Sequence, residues 1–470
     1  MPRKPRGLKN KPLSRSLAVS LAGVRAGGAL AVDSAMQRVL GKNGDHTDSA
    51  FARREAQRFA EELGRLKGTY VKIGQLLALF GEQFLPAVLV EALRDLADRT
   101  EALPWQDVEE GVRHSLGKRY AELDIDPNAI AAASLSQVHL ARIRASDEWI
   151  CLKVQYPGLA ELIDSDFDAV VRMLTLARWV QGGRDLDDWL ASLRVHLHHE
   201  IDYFREARLL RSTADKLGKL PDGMVSLQVP QLFDRYCTET VLAMEFVDGY
   251  SVADPAVLAL PLPRRNALAE AMLELFFFEV YHWGALQTDP NFGNYLLCLD
   301  DRRRNSGRDR IVLLDFGSVM ECDGKFLADL RLTIDAGLRE DESDLIKGLT
   351  GLGCLQPSTS EEGKQLFARF CIQLLEPLRP PERLPAEYLN SQGRYCWGQS
   401  QLMQRAGRLG ATFAATRHFS RPSRDFALLA RKLSGLFNFI ALLDAEFNGY
   451  GMATRYISGW HKGKRYGKQG

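Results

Sequence analysis

Apolar residues recur at helical spacing over residues 51–66 and again at Tyr70, Ile73, Leu76, Leu77 and Phe80, so residues 51–118 read as helical. Within them, Lys72-Ile73-Gly74-Gln75 sets a glycine in mid-helix. That costs about 1 kcal/mol relative to alanine unless close packing requires it, so this turn is expected to pack tightly. From residue 121 to about 249 the pattern becomes mixed, with β-like runs over 138–143, 149–154 and 238–246 and helices through 159–217. A single helix is expected around 196–217. Beyond Pro261 nearly everything reads as helix, including 264–282, 326–338, 361–375 and 424–446. The exceptions are β-like runs at 295–299 and 311–314. No repeat of fixed period is visible.

A chain of 470 residues with 46% hydrophobic content exceeds one compact core, so two lobes with extra helices are expected. Five segments follow from the pattern: a basic, partly disordered or membrane-surface stretch at 1–50, helices at 51–120, a β-containing lobe with inserted helices at 121–249, a helical lobe at 250–460 and a basic tail at 461–470. No run of 18 apolar residues lacks charge: 267–286 carries Glu270, Glu274 and Glu279, and 426–447 carries Arg431 and Lys432. The seven cysteines show no Cys-x-x-Cys spacing, which predicts neither a disulfide framework nor a zinc site and makes a reducing, cytosol-facing compartment the default.

The formal charge of +1 gives no expectation of a nucleic-acid partner, but it hides an asymmetry. Arg3, Lys4, Arg6, Lys9, Lys11, Arg15 and Arg25 precede the first acid, and Lys462, Lys464 and Arg465 close the chain. Such ends read either as solvated tails or as segments that lie on an anionic membrane, each charge adding about 1 kcal/mol there. The acid-free start is also compatible with an organellar transit peptide. The expectation is therefore a cytoplasmic protein, peripheral on the inner face of a membrane, with the mitochondrial matrix side as the alternative.

The candidate chemistry is concentrated between Gln287 and Val319. Asp289 stands five residues before Asn294, and Asp315 opens an Asp-Phe-Gly after an apolar strand, the order of parts a phosphoryl-transfer site needs. Asp315 and Asn294 offer oxygen ligands suited to Mg²⁺ against the phosphates of ATP, and Asp289 is spaced to accept a proton from, or to orient, an attacking hydroxyl or water. Each piece alone equally suits an ordinary loop or a strand ending in a turn.

Upstream, Ala131-Ala132-Ala133-Ser134-Leu135-Ser136-Gln137 falls between β-like segments, where backbone N–H groups could cover phosphates. A small-residue hairpin is the competing reading. Lys153 leaves an apolar strand and could bind the α and β phosphates, or could be an edge-strand lysine facing water. Glu200, Asp202 and Glu206 lie on the expected helix, with Asp202 and Glu206 sharing a face and Glu200 pointing elsewhere; nearby Arg205, Arg208 and Arg211 make a self-paired surface the alternative. The run ending Glu245-Phe246-Val247 is the natural lobe connector, with backbone near Glu245 and Val247 at the adenine edge.

Taken together, Lys72-Ile73-Gly74-Gln75, the alanine-rich loop, Lys153, Glu200-Ile201-Asp202 and Gln287-Thr288-Asp289-Pro290-Asn291-Phe292-Gly293-Asn294 resemble the UbiB-type atypical kinases, the AarF-domain family linked to coenzyme Q biosynthesis. The resemblance spans about residues 60–320. It implies an α+β, protein-kinase-like two-lobe fold with an N-terminal helical extension over the active site, and an ATPase or small-molecule kinase activity tied to lipid metabolism. Carried over by position, Lys72 and Gln75 would plug the site, Glu200 and Asp202 would hold the extension, and Glu206 would pair with Lys153. Ser136 stands where relatives often have glycine, a change that could alter nucleotide preference.

Gln287-Thr288 before Asp289 lacks the arginine that would receive an activation-loop phosphate, and no Ala-Pro-Glu follows Asp315, so a conventional protein Ser/Thr kinase is disfavoured. The expectation is Mg-dependent ATP turnover on a lipid or quinone-precursor-like small molecule, in a biosynthetic protein complex. The rival is a nucleotide-sensing pseudokinase or scaffold, against which stands the complete set Asp289, Asn294, Asp315 and Lys153.

Overall fold

The structure, a computed structural model, describes residues 50–466 except 67, 82–83, 95, 97–101, 181–183, 221–222, 290, 301–307, 317, 357–358 and 415–422. The basic stretch 1–50 thus lies outside the described residues save for Ala50, as do Pro290 and Gly317 of the two site motifs. The described chain divides into two compact units, one reaching Arg208 and including 231–246, the other made of 209–230 and the residues from Val247 onward.

The first unit begins with helices α1 (Ala50–Leu66), α2 (Thr69–Phe80), α3 (Ala87–Arg94) and α4 (Trp105–Leu116). Strands β1 (Leu123–Ala132), β2 (Ser136–Ile143) and β3 (Glu148–Gln155) follow, then α5 (Leu159–Leu176), α6 (Arg184–Ile201) and α7 (Tyr203–Leu217), whose residues to Arg208 belong to this unit. Phe59 and Leu63 of α1, Tyr70, Ile73 and Leu77 of α2 and Leu89 and Leu93 of α3 form one core with Ile163, Phe167, Leu193 and Leu197. Gly74 is where this core closes: a Cβ there would stand 2.5 Å from Leu96 Cδ1 and 3.4 Å from Leu63 Cδ1. The mid-helix glycine therefore answers to close packing, as its position in the pattern predicts.

The second core backs the sheet, where Val108, Val112 and Leu116 of α4 meet Leu123, Ile150, Leu152, Val241 and Ala243. Strand order is β1-β2-β3-β5, all antiparallel, β5 being Val241–Glu245. Between α7 and β5, β4 (Val225–Gln228) belongs to the second unit.

The second unit continues with α8 (Pro255–Leu258) and α9 (Leu262–Phe278), the latter buried through Leu268, Met272, Leu273, Leu275, Phe276 and Phe277. A π-turn, Glu279–Trp283, closes on Gly284 at φ 65° and leads into β6 (Ala285–Gln287). Strands β7 (Tyr295–Cys298) and β8 (Asp309–Leu313) form a hairpin flanked by β4, and β6 pairs with β9 (Val319–Glu321). Helices α10 (Gly324–Arg339), α11 (Glu342–Gly351), α12 (Glu361–Leu374), α13 (Trp397–Ser400), α14 (Leu402–Ala414), α15 (Arg424–Leu442) and α16 (Tyr450–Tyr466) complete it.

Several expectations are corrected. The helix expected through 196–217 is two helices broken at Asp202, whose Oδ1 accepts the Arg205 N–H at 2.8 Å and so caps α7. The loop expected over Ala131–Gln137 is shorter. Ala131 and Ala132 end β1 opposite Val138 and Gln137, and Ser136 and Gln137 open β2, leaving residues 133–135 as the turn. The expected helix 264–282 ends as α-helix at Phe278, the helical lobe carries the additional strands β6 and β9, and the β-containing lobe carries the additional strand β4; residues 461–466 are helical, continuing α16. No disulfide joins any of the seven cysteines, and among the described residues no helix is long and apolar enough to cross a membrane.

Candidate phosphoryl-transfer site

The β7–β8 hairpin positions the downstream residues of the second unit. Tyr295 pairs with Leu313, and the Leu314 N–H donates to the Asn294 carbonyl at 2.9 Å, so Asn294 and Asp315 emerge side by side from the same end of the hairpin. The loop before it is held at both ends. Gln287 pairs with Val319 across β6 and β9, the Thr288 N–H donates to the Ser318 carbonyl at 2.8 Å, and Asn291 Oδ1 accepts the Gly293 N–H at 2.9 Å. Gln287 also ties the two motifs together: it accepts from the Tyr295 hydroxyl at 3.0 Å and donates to the Asp315 carbonyl at 3.4 Å.

Asp289 has three donors. Its Oδ2 accepts from Asn294 Nδ2 at 2.8 Å, while Oδ1 accepts from the Asn291 N–H at 3.3 Å and from Arg431 Nη2 at 3.0 Å. A carboxylate only accepts, so the Asn294 amide must present its NH₂ to Asp289 and keep its Oδ1 for another partner. That oxygen and the Asp315 carboxylate are hard donors of the kind Mg²⁺ takes. Among the described residues no cluster of three or more His, Cys, Asp or Glu forms a self-sufficient metal site, so an ion here would draw its remaining ligands from phosphates and water.

Behind this loop lies a cavity of about 100 Å³ bordered by Glu279, Gln287, Asn294, Asp315 and Lys432. Lys432 Nζ stands 3.0 Å from Oε1 and 2.8 Å from Oε2 of Glu279, both side chains nearly excluded from solvent. Burial pushes the Glu279 carboxyl above its ordinary range, against the Lys432 ammonium and the Gln287 N–H, which pull it down. Arg431 and Lys432 are consecutive on α15, whose first turn is capped by Ser423 and whose other faces bury Leu428, Leu429, Leu436, Phe437 and Ile440. One cation reaches the Asp289 carboxylate and the next reaches the π-turn. The sequence reading missed both roles; the available signal was a pair of cations inside an otherwise apolar helix.

In the first unit, Lys153 lies opposite Val138 and Leu242, on an interior strand rather than an edge. Its Nζ donates to both Glu206 oxygens at 2.7 and 2.8 Å and stands 5.3 Å from the Tyr203 ring centre. Glu206 is 5% exposed, so the pair is substantially desolvated. Lys72 on α2 pairs with Glu200 on α6 at 2.6 Å, while Gln75 is half-buried on the same helix as Lys72. Asp202 does not share a helix face with Glu206; it caps α7 and lies 3.9 Å from Arg208.

The turn at 133–135 is drawn back by Tyr156, whose N–H reaches the Leu135 carbonyl at 3.0 Å and whose hydroxyl reaches the Ala133 carbonyl at 3.1 Å. Ala131 and Ala133 are exposed, whereas Ser134, Leu135, Ser136 and Gln137 are buried. The Gln137 side chain is committed inward: Oε1 accepts the Leu103 N–H at 2.8 Å, and Nε2 lies 3.2 Å from the Leu103 carbonyl and 2.8 Å from His139 Nε2. At the end of β5, the Glu245 N–H donates to the Gln231 carbonyl at 2.8 Å. Val247 opens the next stretch of the second unit and is half-buried.

Residues 95–349 match the ABC1 atypical kinase-like domain. A Saccharomyces cerevisiae protein named atypical kinase COQ8, mitochondrial, is 29% identical over 331 residues, covering 68% of this chain and 62% of its own length. A Dictyostelium discoideum protein named probable serine/threonine-protein kinase abkA is 28% identical over 414 residues, 85% of this chain and 70% of its own. The chain therefore spans less than two thirds of the yeast relative. Among solved structures, Mycobacterium tuberculosis Rv3197 in complex with erythromycin has a similar fold, with a TM-score of 0.58 at 22% identity over 86% of this chain and 96% of that one. The fold is α+β and kinase-like, and the chain belongs to the ABC1 family of UbiB-type atypical kinases.

Proposed function

We propose that this chain is a Mg-dependent ATP phosphotransferase or ATPase whose acceptor is water or a small, lipid- or quinone-precursor-like molecule. The observation that carries the reading is the three-residue constellation in which Asn294 gives its amide N–H to Asp289, so that its oxygen is not committed to that carboxylate, and leaves the hairpin beside Asp315. Asn294 and Asp315 would hold Mg²⁺, which when bound supplies neutralising charge to the phosphates. Asp289, held by Asn294 and Arg431, accepts the proton of the attacking hydroxyl or orients water. Lys153, held by Glu206, presents its ammonium to the α and β phosphates, while the short turn at 133–135 covers them. Backbone groups at Glu245 and Val247 face the adenine.

In the same reading, 51–120 is a helical extension in which Lys72 and Gln75 restrict the site and Glu200 anchors Lys72. Residues 121–249 are the kinase-like N-lobe and 250–460 the C-lobe. Likeness to kinases named COQ8 supports a role in coenzyme Q (ubiquinone) biosynthesis or related lipid metabolism, within a biosynthetic complex. The mitochondrial names of those relatives favour the matrix-side alternative for location. The basic ends support peripheral association with anionic lipid.

The test is thermal melting and ATP hydrolysis with and without Mg²⁺. ATP with Mg²⁺ is expected to raise the Tm, and Asp315→Asn is expected to abolish both the rise and the turnover. No Mg-dependent nucleotide stabilisation, or turnover untouched in Asp315→Asn, would sink the reading.

A further inference from the structure

The π-turn Glu279–Trp283 faces two cavities at once. Glu279 borders the small cavity by the Asp289 loop, whereas Tyr281, His282 and Trp283 line a second, larger cleft. Trp283 and Lys216 border both. Single π-turns inside helices occur frequently at functional sites, because the extra residue re-aims side chains that an α-helix would bury together.

The second cleft encloses about 790 Å³, within the range of small-molecule sites, whereas the first, at about 100 Å³, is too small for one. Its walls are aromatic: Phe278, Tyr281 and Trp283 face Tyr456 and Trp460 of α16. The rings already meet one another edge-on, Tyr456 with Phe278 at 5.4 Å and Tyr281 with Trp460 at 6.5 Å, so they form one continuous aromatic wall against which a flat ring in the cleft would find π faces and edges. The Tyr281 hydroxyl is buried with no hydrogen-bond partner among the described residues. Gly459 supplies the opening, since a Cβ built there meets nothing within 4 Å.

The charges choose the ligand. Glu274 is occupied, accepting from the Tyr456 hydroxyl at 3.2 Å and standing 3.6 Å from Arg455. Neither Lys216 nor Lys219 forms a salt bridge among the described residues; the Lys216 charge acts on the Glu279 carboxyl, and its ammonium lies 5.8 Å from the Trp283 ring centre. With Arg455 set against Glu274, the two lysines leave the lining net positive and disfavour a cationic guest, which the aromatic walls alone would also accept. We infer that this cleft binds a planar aromatic carboxylate, its ring against the aromatic wall made by the π-turn and α16 and its charge on Lys216 and Lys219, and that occupancy is communicated through the π-turn to the loop carrying Asp289. The communication rests on the phosphoryl-transfer reading; the binding does not.

The test uses the full chain with three probes of one ring size: 2-naphthoate, neutral 2-naphthylmethanol and (2-naphthylmethyl)trimethylammonium. Isothermal titration is expected to give saturable one-to-one binding of 2-naphthoate, with the other two at least tenfold weaker. Gly459→Trp, which fills the open space on a helix, is expected to weaken 2-naphthoate at least tenfold with an unchanged Tm and basal turnover; Lys216→Gln should weaken it in the same direction. Absent saturation, equal binding of all three probes, or undiminished binding in Gly459→Trp overturns the site. In the coupled arm, 2-naphthoate should change the Mg–ATP turnover of the unsubstituted chain and not that of Gly459→Trp. Binding without that change overturns the communication. Binding in a chain that never turns over ATP leaves the site standing and refutes the phosphoryl-transfer reading instead.

Discussion

The Arg431 guanidinium, carried on α15, donates from Nη2 to Oδ1 of Asp289 at 3.0 Å while Asn294 holds the carboxylate's other oxygen. The pair is only partly buried, 31% and 26% exposed, so its worth to global stability is on the order of 1 kcal/mol or less. Its effect belongs to geometry. Arg431 is a positioning residue for Asp289, and Arg431→Gln is expected to lower kcat by about tenfold to a hundredfold, within what a misaligned acid–base group loses. The Tm increment from Mg–ATP should survive; its disappearance would mean that Arg431 supports binding instead.

Lys153 and Glu206 make the opposite kind of pair. Glu206 is nearly solvent-free, and Lys153→Met would leave its carboxylate without the ammonium that offsets desolvation, at a cost of about 3–5 kcal/mol. The double variant Lys153→Met/Glu206→Gln should recover most of that loss in urea unfolding. Equal losses in the single and double variants would show that other contacts of these side chains dominate.

The Lys72–Glu200 contact can be tested by charge exchange. Lys72→Glu places two carboxylates where an ion pair stands at 2.6 Å, and Lys72→Glu combined with Glu200→Lys restores opposite charges. A coupling energy of about 1 kcal/mol is expected from the double-mutant cycle, smaller at high salt. Additive losses, with no recovery in the exchanged variant, would contradict it.

His139 predicts a pH dependence. Its ring is fully buried on β2, Nδ1 lies 2.8 Å from the Asp126 carbonyl and Nε2 lies 2.8 Å from the Gln137 amide nitrogen. The amide can only donate, so Nε2 accepts and Nδ1 carries the proton. Burial lowers the His139 pKa below its ordinary 6.5, more than the Asp126 carbonyl raises it. A histidine depressed in the folded state contributes stability that is present above 6.5 and is lost as pH falls through the folded value. Melting between pH 7.5 and 5 should therefore show a decline in the unsubstituted chain that is shallower in His139→Gln; identical slopes would refute the assignment.

The parts of the site legible in sequence were those whose geometry is local. Asp289, Asn294 and Asp315 fall on one loop and one hairpin, so their spacing nearly dictates their meeting. Lys153 was ambiguous because its strand's status depends on β1 and β5. β1 hides its extended character behind Asp124, Asp126, Pro127 and Asn128 and a bulged register, and β5 arrives from far along the chain. β6 and β9, at three residues each, are too short for alternation to show. The break at Asp202 carried a readable cue, an aspartate suited to a helix N-cap, which the continuous apolar spacing outweighed. Arg431 and Lys432 carried none that names a partner, since the groups they bind lie 142 and 153 residues earlier.

That separation limits how far the protein can be trimmed. The match to the ABC1 domain ends at residue 349, and α15 begins at Arg424, so the matched segment contains Glu279 and Asp289 but neither Lys432 nor Arg431. Excising it as a minimal domain would strand a carboxylate in an apolar interior, a defect of several kcal/mol next to the loop that carries Asp289 and Asn294. The smallest segment that keeps both carboxylates with their cations is set by α15, not by the limits of the domain match.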